Sequence, residues 1–368
     1  MSLHRGFVLA SAVFVAMSFT GRAATTAALM RPGAGQAAVS RVPAAGNACP
    51  ARAVFLRLFG EMRGYPLEAQ GQTTPCTDVA GKRTLLEGNG NGYGAIQIDA
   101  DGRPNALAFQ SNGYGGLLIF KANANGNAAP LTSVLVDQDH VALATDAELN
   151  DFVVASQGYQ ADSCWYVVPA GQTMPSLSNC DANVDAIYAL ASDPAGELAA
   201  VGFDTASGDL RVDFFTGAAT ASPTLVRTIE GSATNFPVST GSYFAYSFQL
   251  AADPRSGELY VYIGGPTLGS PPPSNVPLVE EFAADASGNA APIRTIAGAL
   301  TGLPASAFGA DVLALDDRSR LYVSSSVPSI AVFGPHQHGN VAPERTIFDS
   351  SAKSQQTAVG IAVRTSRR

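Results

Sequence analysis

The 368-residue chain carries 30 acidic against 22 basic side chains, a net charge of -8, and is 46% hydrophobic but only 14% charged. So much apolar material builds a sizeable core and excludes a disordered acidic chain, while four cysteines are too few for a small cystine-stapled scaffold. Only three lysines occur (Lys82, Lys121, Lys353), and no basic cluster beyond Arg364, Arg367 and Arg368, so nucleic acid is excluded as an expected partner.

Glycine and proline, 37 and 23 residues, point to many short turns, and the low charge argues against long surface helices. An all-β protein is expected, as one large domain or two ordinary ones. The amino end, MSLHRGFVLASAVFVAMSFTGRAATTA, has a positive start at Arg5, an apolar run from Gly6 to Phe19 and small residues suited to cleavage after Ala23 or Ala24. This predicts a secretory signal over 1–23, a retained signal-anchor being the alternative, and no membrane span once it is removed. No cysteine lies near the cut, so lipid attachment is not expected. Residues 24–47 read as a flexible leader, and a single domain is expected over 48–368.

Export makes the four cysteines candidates for two disulfides, with three possible pairings. Cys164 and Cys180 bound two extended pieces around a turn, so their bridge would staple one β unit; Cys49 with Cys76 would tie down the early chain. Neither pair has CxxC or metal-knuckle spacing. Between them, RAVFLRLFGEMRG reads equally as strand or short helix.

Further along, the chain repeats. FKANANGNAAP (Phe120 to Pro130), FAADASGNAAP (Phe282 to Pro292) and FGPHQHGNVAP (Phe333 to Pro343) align without a gap over eleven positions. Each follows a strand ending on its Phe and precedes another short extended stretch of the Arg-Thr-Ile type. A weaker copy spans Leu210 to Gly231, and KRTLLEG (Lys82 to Gly88) repeats only the last strand. Upstream lie IDADGRPNALAF, LASDPAGELAAVGF, LAADPRSGELYVYI and LALDDRSRLYVSS, which place Asp99, Asp193, Asp253 and Asp316 alike. An Asp there accepts backbone N–H groups in a turn between apolar strands.

Each unit therefore has four strands, too small to bury both faces alone, as in a radial propeller. Fourth-strand copies begin near Arg83, Thr132, Met174, Arg227, Arg294 and Arg345, predicting a six-bladed β-propeller; seven blades result if Ala53 to Pro66 holds another unit. The surplus C-terminal strand, Val359 to Val363, is expected to complete the blade begun by Ala53 to Gly88, removing the open sheet edges. The Pro-rich stretch Gly264 to Asn275 is expected to be a surface arm, with strand pairing resuming at Val276.

The pattern D-x-x-x-G-x-L-Y-V of Asp253 to Val261, followed by A-S-G-N-A-A-P-I-R-T-I-A-G, resembles NHL-like β-propeller repeats of exported bacterial proteins, over roughly Ala95 to Val363. The resemblance implies that the Arg-Thr-Ile strand and the Gly-Asn turn are architectural, and it carries over no catalytic residue.

No catalytic residue and no cofactor are assigned. A lactonase-like propeller hydrolase, the alternative reading, would hold a divalent metal with Glu, Asn and Asp in the central channel. Asp99 and Asp101 in DADG suggest an oxygen-rich loop, but the full calcium-loop pattern is absent, and a turn explains them better. Glu280 and Glu281 are adjacent and face opposite sides of a strand. His336 and His338 would meet one metal only if extended, and the repeat alignment places both in a turn. His140 has no recognisable nucleophile partner. The loops joining fourth to inner strands and second to third strands share one face, which carries Asn91, Tyr93, Asn112, Tyr114 and Tyr159. Their aromatic and amide groups suit a peptide, glycan or protein ligand. The expectation is an exported, noncatalytic propeller scaffold or binding module, secreted or periplasmic, with no prediction of oligomeric state.

Overall fold

The computed structural model describes residues 49–58, 61–80, 95–109, 115–126, 128–136, 139–157, 160–236, 247–264, 277–304, 313–324, 329–349 and 358–365. Ala45–Arg368 form one compact unit. Its apolar runs become short strands. They are β1 (Ala53–Leu58), β2 (Glu61–Pro66), β3 (Gly71–Thr73) and β4 (Thr77–Ala80), then β5 (Ile96–Ile98), β6 (Pro104–Phe109), β7 (Gly115–Ile119) and β8 (Thr132–Val136). The third set is β9 (Asp139–Thr145), β10 (Asp151–Gln157), β11 (Gln160–Val168) and β12 (Leu177–Cys180); the fourth is β13 (Ala189–Ser192), β14 (Leu198–Phe203), β15 (Leu210–Thr216) and β16 (Thr224–Ile229). There follow β17 (Ser247–Ala252), β18 (Leu259–Gly264), β19 (Leu278–Phe282), β20 (Arg294–Ala297), β21 (Leu313–Leu315), β22 (Leu321–Ser324), β23 (Ser329–Phe333), β24 (Arg345–Asp349) and β25 (Ala358–Arg364).

These strands form six antiparallel sheets. The first blade runs β25-β1-β2-β4, and the others run β5 to β8, β9 to β12, β13 to β16, β17 to β20 and β21 to β24. The inner strands touch in a cycle, β25 to β5, β9, β13, β17, β21 and back to β25. The ring is closed, and the chain is a six-bladed β-propeller. As the sequence predicts, the C-terminal strand pairs with β1, from Ala53↔Arg364 to Leu58↔Ala358, so no blade is left with a bare inner edge.

The core is divided among the six blade junctions. Along β1, Val54, Leu56 and Leu58 pack on the sixth blade, whereas Ala53 and Phe55 pack on the second. In β14, Leu198 and Ala200 face the third blade, while Ala199, Val201 and Phe203 face the fifth. Successive side chains on a strand point to opposite faces, and here both faces are covered. That is why these strands read as continuous apolar runs. The fourth strands, at the rim, read otherwise: in β16, Thr224, Leu225 and Val226 are exposed.

The repeated Arg and Gly-Asn residues join neighbouring blades. Arg227 lies over the Phe214 ring and donates to the Ala286 carbonyl of the next blade at 2.9 Å. Arg294 donates to the Pro335 carbonyl, and Arg345 to those of Leu67 and Ala69, both at 2.6 Å. The Gly-Asn turn answers in the opposite direction: Gly288 and Gly339 make parallel bridges to Ile229 and Ile296 of the preceding blade. Asn289 and Asn340 then accept from the Ala233 and Leu300 amides at 2.6 and 2.8 Å. Gly231 and Gly298 lie beneath those Asn side chains at φ 114° and 117°, where a Cβ would sit within 2.6 Å of Asn atoms. Glycine ends both Arg-Thr-Ile strands for that reason.

Several strand assignments shift. In the first blade β4, fixed by Met62↔Val79 pairing, takes the fourth position, and the stretch from Arg83 lies outside the described residues. β12 and β16 begin at Leu177 and Thr224, each three residues from its expected start. The described part of RAVFLRLFGEMRG falls in β1 and β2, and pairing after the Pro-rich stretch resumes at Leu278, because Pro277 has no N–H to give. The short strand β3 pairs in parallel with β24, Ile347↔Gly71 to Asp349↔Thr73, and does for the sixth blade what a Gly-Asn turn does elsewhere. Both disulfides form as favoured from the sequence: Cys49 with Cys76, and Cys164 with Cys180, whose residues are direct cross-strand partners.

Candidate functional site: the central channel and its two ends

A ring of blades has two unlike ends. One carries the connections β4–β5, β6–β7 and β10–β11 together with their counterparts in the other blades. Asn91, Tyr93, Asn112, Tyr114 and Tyr159 belong to these connections and lie outside the described residues. The other end carries the hairpins between first and second strands and between third and fourth strands. Its turns follow the predicted chemistry. Asp99 Oδ1 accepts from the Arg103 amide at 2.8 Å, Asp193 Oδ1 from Ala195 and Glu197, Asp253 Oδ1 from Arg255 and Ser256, and Asp316 Oδ1 from Arg318 and Arg320. Asp146 makes the same turn in the third blade, accepting from the Asn150 amide at 2.8 Å.

At the hairpin end the channel opens into a cavity of about 830 Å³ to which all six inner strands contribute. Two residues before each turn, the lining residue is Ala144, Ala191, Ala251, Ala314 or Ala362 in five blades and Gln97 in the remaining one. Ala144, Ala191, Ala314 and Ala362 are buried and also pack in the cores between blades. Gln97 carries an amide, and its Nε2 donates to the Leu143 carbonyl of the next blade at 3.4 Å. Thr145 and Ser192 add hydroxyls one residue further out.

The acids at the mouth are paired. Asp99 is buried and holds Arg103 Nε at 2.7 Å, and the same guanidinium lies 3.6 Å from exposed Asp101. Asp317 holds Arg52 at 2.5 Å. Where five blades place a turn Asp, the first places Arg364, which donates to the Ala122, Cys49 and Pro50 carbonyls and lies over the Phe55 ring. Burial without an acidic partner pulls the Arg364 guanidinium below its ordinary value. Ala122 occupies the repeat position of Pro335, which receives Arg294, so Arg364 supplies from the inner strand the clamp that β4 lacks.

Other sequence candidates separate. His336 and His338 are both exposed in the β23–β24 turn, with His338 Nδ1 3.2 Å from the His336 carbonyl. His140 lies in β9 and pairs through its backbone with Ala155. Among the described residues, no group of three or more His, Cys, Asp or Glu side chains is arranged to hold a metal. Glu280 and Glu281 do face opposite sides: Glu281 pairs with Arg294, whereas Glu280 is fully buried and accepts only from Asn235 Nδ2 at 3.0 Å. Burial pushes the Glu280 carboxyl up to about 7. Asp151, buried at the junction of the second and third blades, accepts from Asn105 at 2.9 Å and Thr145 at 2.6 Å, and burial pushes it up to about 6. The sequence reading did not name Gln97 and placed Arg364 only in the terminal basic cluster. Aligning the inner strands on their turn residue would have shown Gln in an alanine column and Arg in an aspartate column.

No protein-family model and no curated protein matches the chain. Among solved structures it is similar to a protein from Lactobacillus plantarum, at 11% identity, TM-score 0.48, over 85% of this chain and 99% of that one. It is similar to the WD40 domain of Toxoplasma gondii coronin, at 11% identity, TM-score 0.39, over 70% of each chain. Hydrazine synthase of Kuenenia stuttgartiensis matches at 13% identity, TM-score 0.38, over 65% of this chain and 76% of that one. At these levels the likenesses bear on nothing beyond chain path, and the blade assignment rests on the strand pairing itself.

Proposed function

We propose that this protein is an exported, noncatalytic propeller of the NHL-like kind that presents its loop face to a protein, peptide or glycan outside the cytoplasm. The observation that carries the reading is the channel wall: a ring of five alanines and Gln97, with the acids at its mouth spent on turn amides and arginines. An alanine-lined wall supports a scaffold reading for the inner strands, and Thr145 and Ser192 are the hydroxyls that stand beside it. The two disulfides and the signal-like amino end support export, and no helix among the described residues is long and apolar enough to cross a membrane.

The loop face then carries recognition, with Tyr93 and Tyr114 as aromatic anchors and Asn91, Asn112 and Tyr159 beside them. The test is a screen of the purified chain on glycan and peptide arrays, followed by Tyr93→Ala and Tyr114→Ala. A ligand whose affinity falls at least tenfold in both variants, while unfolding stays cooperative, is the expected result. Undiminished affinity removes the loop face from the proposal. Turnover of lactones that depends on added calcium replaces binding with the lactonase-like alternative.

A further inference from the structure

The third and fourth blades meet at a pair of carboxyl groups. Asp181, which follows β12 and the bridged Cys180, is 1% exposed, and Asp213 in β15 is fully buried. Their hydrogen bonds to neighbours run through one oxygen each. Asp181 Oδ1 accepts from the Asn183 amide at 2.9 Å and from Asn183 Nδ2 at 3.0 Å. Asp213 Oδ1 accepts from Arg211 Nη2 at 2.9 Å and Thr228 Oγ1 at 2.5 Å. Both Oδ2 atoms are buried and find no donor, yet the two carboxyl groups lie within hydrogen-bonding reach of each other. Two carboxylates cannot form that bond, and leaving both Oδ2 atoms bare at close range is costly. One proton satisfies both atoms.

We propose that Asp181 and Asp213 share a single proton across this junction, Asp181 Oδ2–H donating to Asp213 Oδ2, and that the proton makes the junction of the third and fourth blades a pH-sensitive seam. The surroundings decide which group carries it. Asp213 has a guanidinium and a hydroxyl to hold its charge, whereas Asp181 has only the Asn183 amides. Arg211 is itself divided: its Nη1 lies 2.5 Å from Asp204 and 3.4 Å from Glu230, so it cannot neutralise both members of the pair. Asp185, in the same connection, is pushed up by burial and accepts from the Phe203 amide. The apolar side chains packed at this junction include Trp165, Val184, Leu198 and Phe215.

Burial first, then the Asp213 charge and hydrogen bond, raise the proton affinity of Asp181 above that of a free Asp, against the pull of the Asn183 amide. The folded protein thus keeps a proton that the unfolded chain has already lost. Its stabilising contribution is complete below the unfolded value of 3.8 and disappears as pH rises through the folded value.

Denaturant unfolding of the wild type and Asp181→Asn from pH 4 to pH 8, in chelator, tests this. The amide donates to Asp213 Oδ2 at every pH. The wild type should match the variant near pH 4 and lose ground as pH rises to the pair's folded midpoint, its unfolding constant rising relative to the variant's by up to about tenfold per pH unit over that range and levelling off above it. Parallel pH profiles overturn the proposal. So does calcium or zinc, added without chelator at pH 8, raising the melting temperature of the wild type but not of Asp181→Asn, since the pair would then hold a cation. Should the variant fail to fold, carbon-13 titration of the wild-type Asp carboxyls decides. One of the pair must titrate well above the ordinary Asp range, and two ordinary titrations refute the shared proton.

Discussion

The junctions flanking the fifth blade and those flanking the third solve the same packing problem with different chemistry. Around the fifth blade, Arg227 and Arg294 reach across to turn carbonyls, each paired with a glutamate (Glu197, Glu281) and lying over an aromatic ring (Phe214, Tyr260). Around the third, no repeat arginine takes part: Asn105 donates to Asp151 on one side, and Trp165 and Asn179 donate to the Ala218 carbonyl on the other, near the Asp181–Asp213 pair. A guanidinium stays charged over the whole working pH range, so its clamp is indifferent to pH. A buried carboxyl is not indifferent. The divergent blade has exchanged constant joints for titratable ones and added a disulfide where its rim strand is short. Glu280 at the junction of the fourth and fifth blades is the exception, a buried acid inside an arginine-clamped seam.

The comparison breaks most completely when the ring cannot close. Deleting residues 358–368 removes β25 and Arg364 and exposes the inner edge of β1. Calorimetry should show loss of the single cooperative transition, and an unchanged melt would contradict closure through this strand. Next comes Arg294→Ala, which leaves Glu281 buried without its ion partner and strips the sixth-blade carbonyls. Its cost should be roughly 3–5 kcal/mol in denaturant unfolding, with Arg294→Lys recovering only part. Replacing Cys164 and Cys180 together by Ser opens a bridge of sequence separation 16 and should cost about 3 kcal/mol, measured against the reduced wild type as control.

Titration sharpens the contrast further. Asp151, pushed up to about 6, favours the folded state fully below 3.8 and loses that contribution as pH rises through 6. Asp151→Asn should therefore flatten the decline in stability between pH 5 and pH 8 by on the order of 2 kcal/mol, whereas Arg227→Lys should leave the slope alone. Smallest of all, His336→Ala with His338→Ala should move stability by less than about 0.5 kcal/mol and leave zinc stoichiometry unchanged, because both rings stand in solvent on a turn.

Blade number and closure were legible because the Gly-Asn turn and the Arg-Thr-Ile strand repeat almost verbatim. What those residues accomplish was not legible, since Asn289 and Arg227 act on the neighbouring unit and a one-dimensional alignment shows only their own. KRTLLEG repeats the rim-strand pattern but lies outside the described residues, and Met62↔Val79 pairing places β4 before it. The third blade hides its turn because Asp146 is followed by no glycine before β10, although the Asx geometry is the same. The proposed loop-face residues follow from topology alone, since topology assigns them to one end of the ring.

β1 and β25 are partners separated by nearly the whole chain. Bringing such distant segments together carries a large loop-closure cost, and every shorter-range hairpin forms before it. During synthesis, β25 leaves the ribosome after every one of β1 to β24. Until then the polypeptide is an open row of half-satisfied blades, and Arg364 cannot yet clamp Ala122, Cys49 and Pro50. Closure thus makes β25 decisive: a chain without it lacks both the strand and the arginine that lock the first blade to its neighbours.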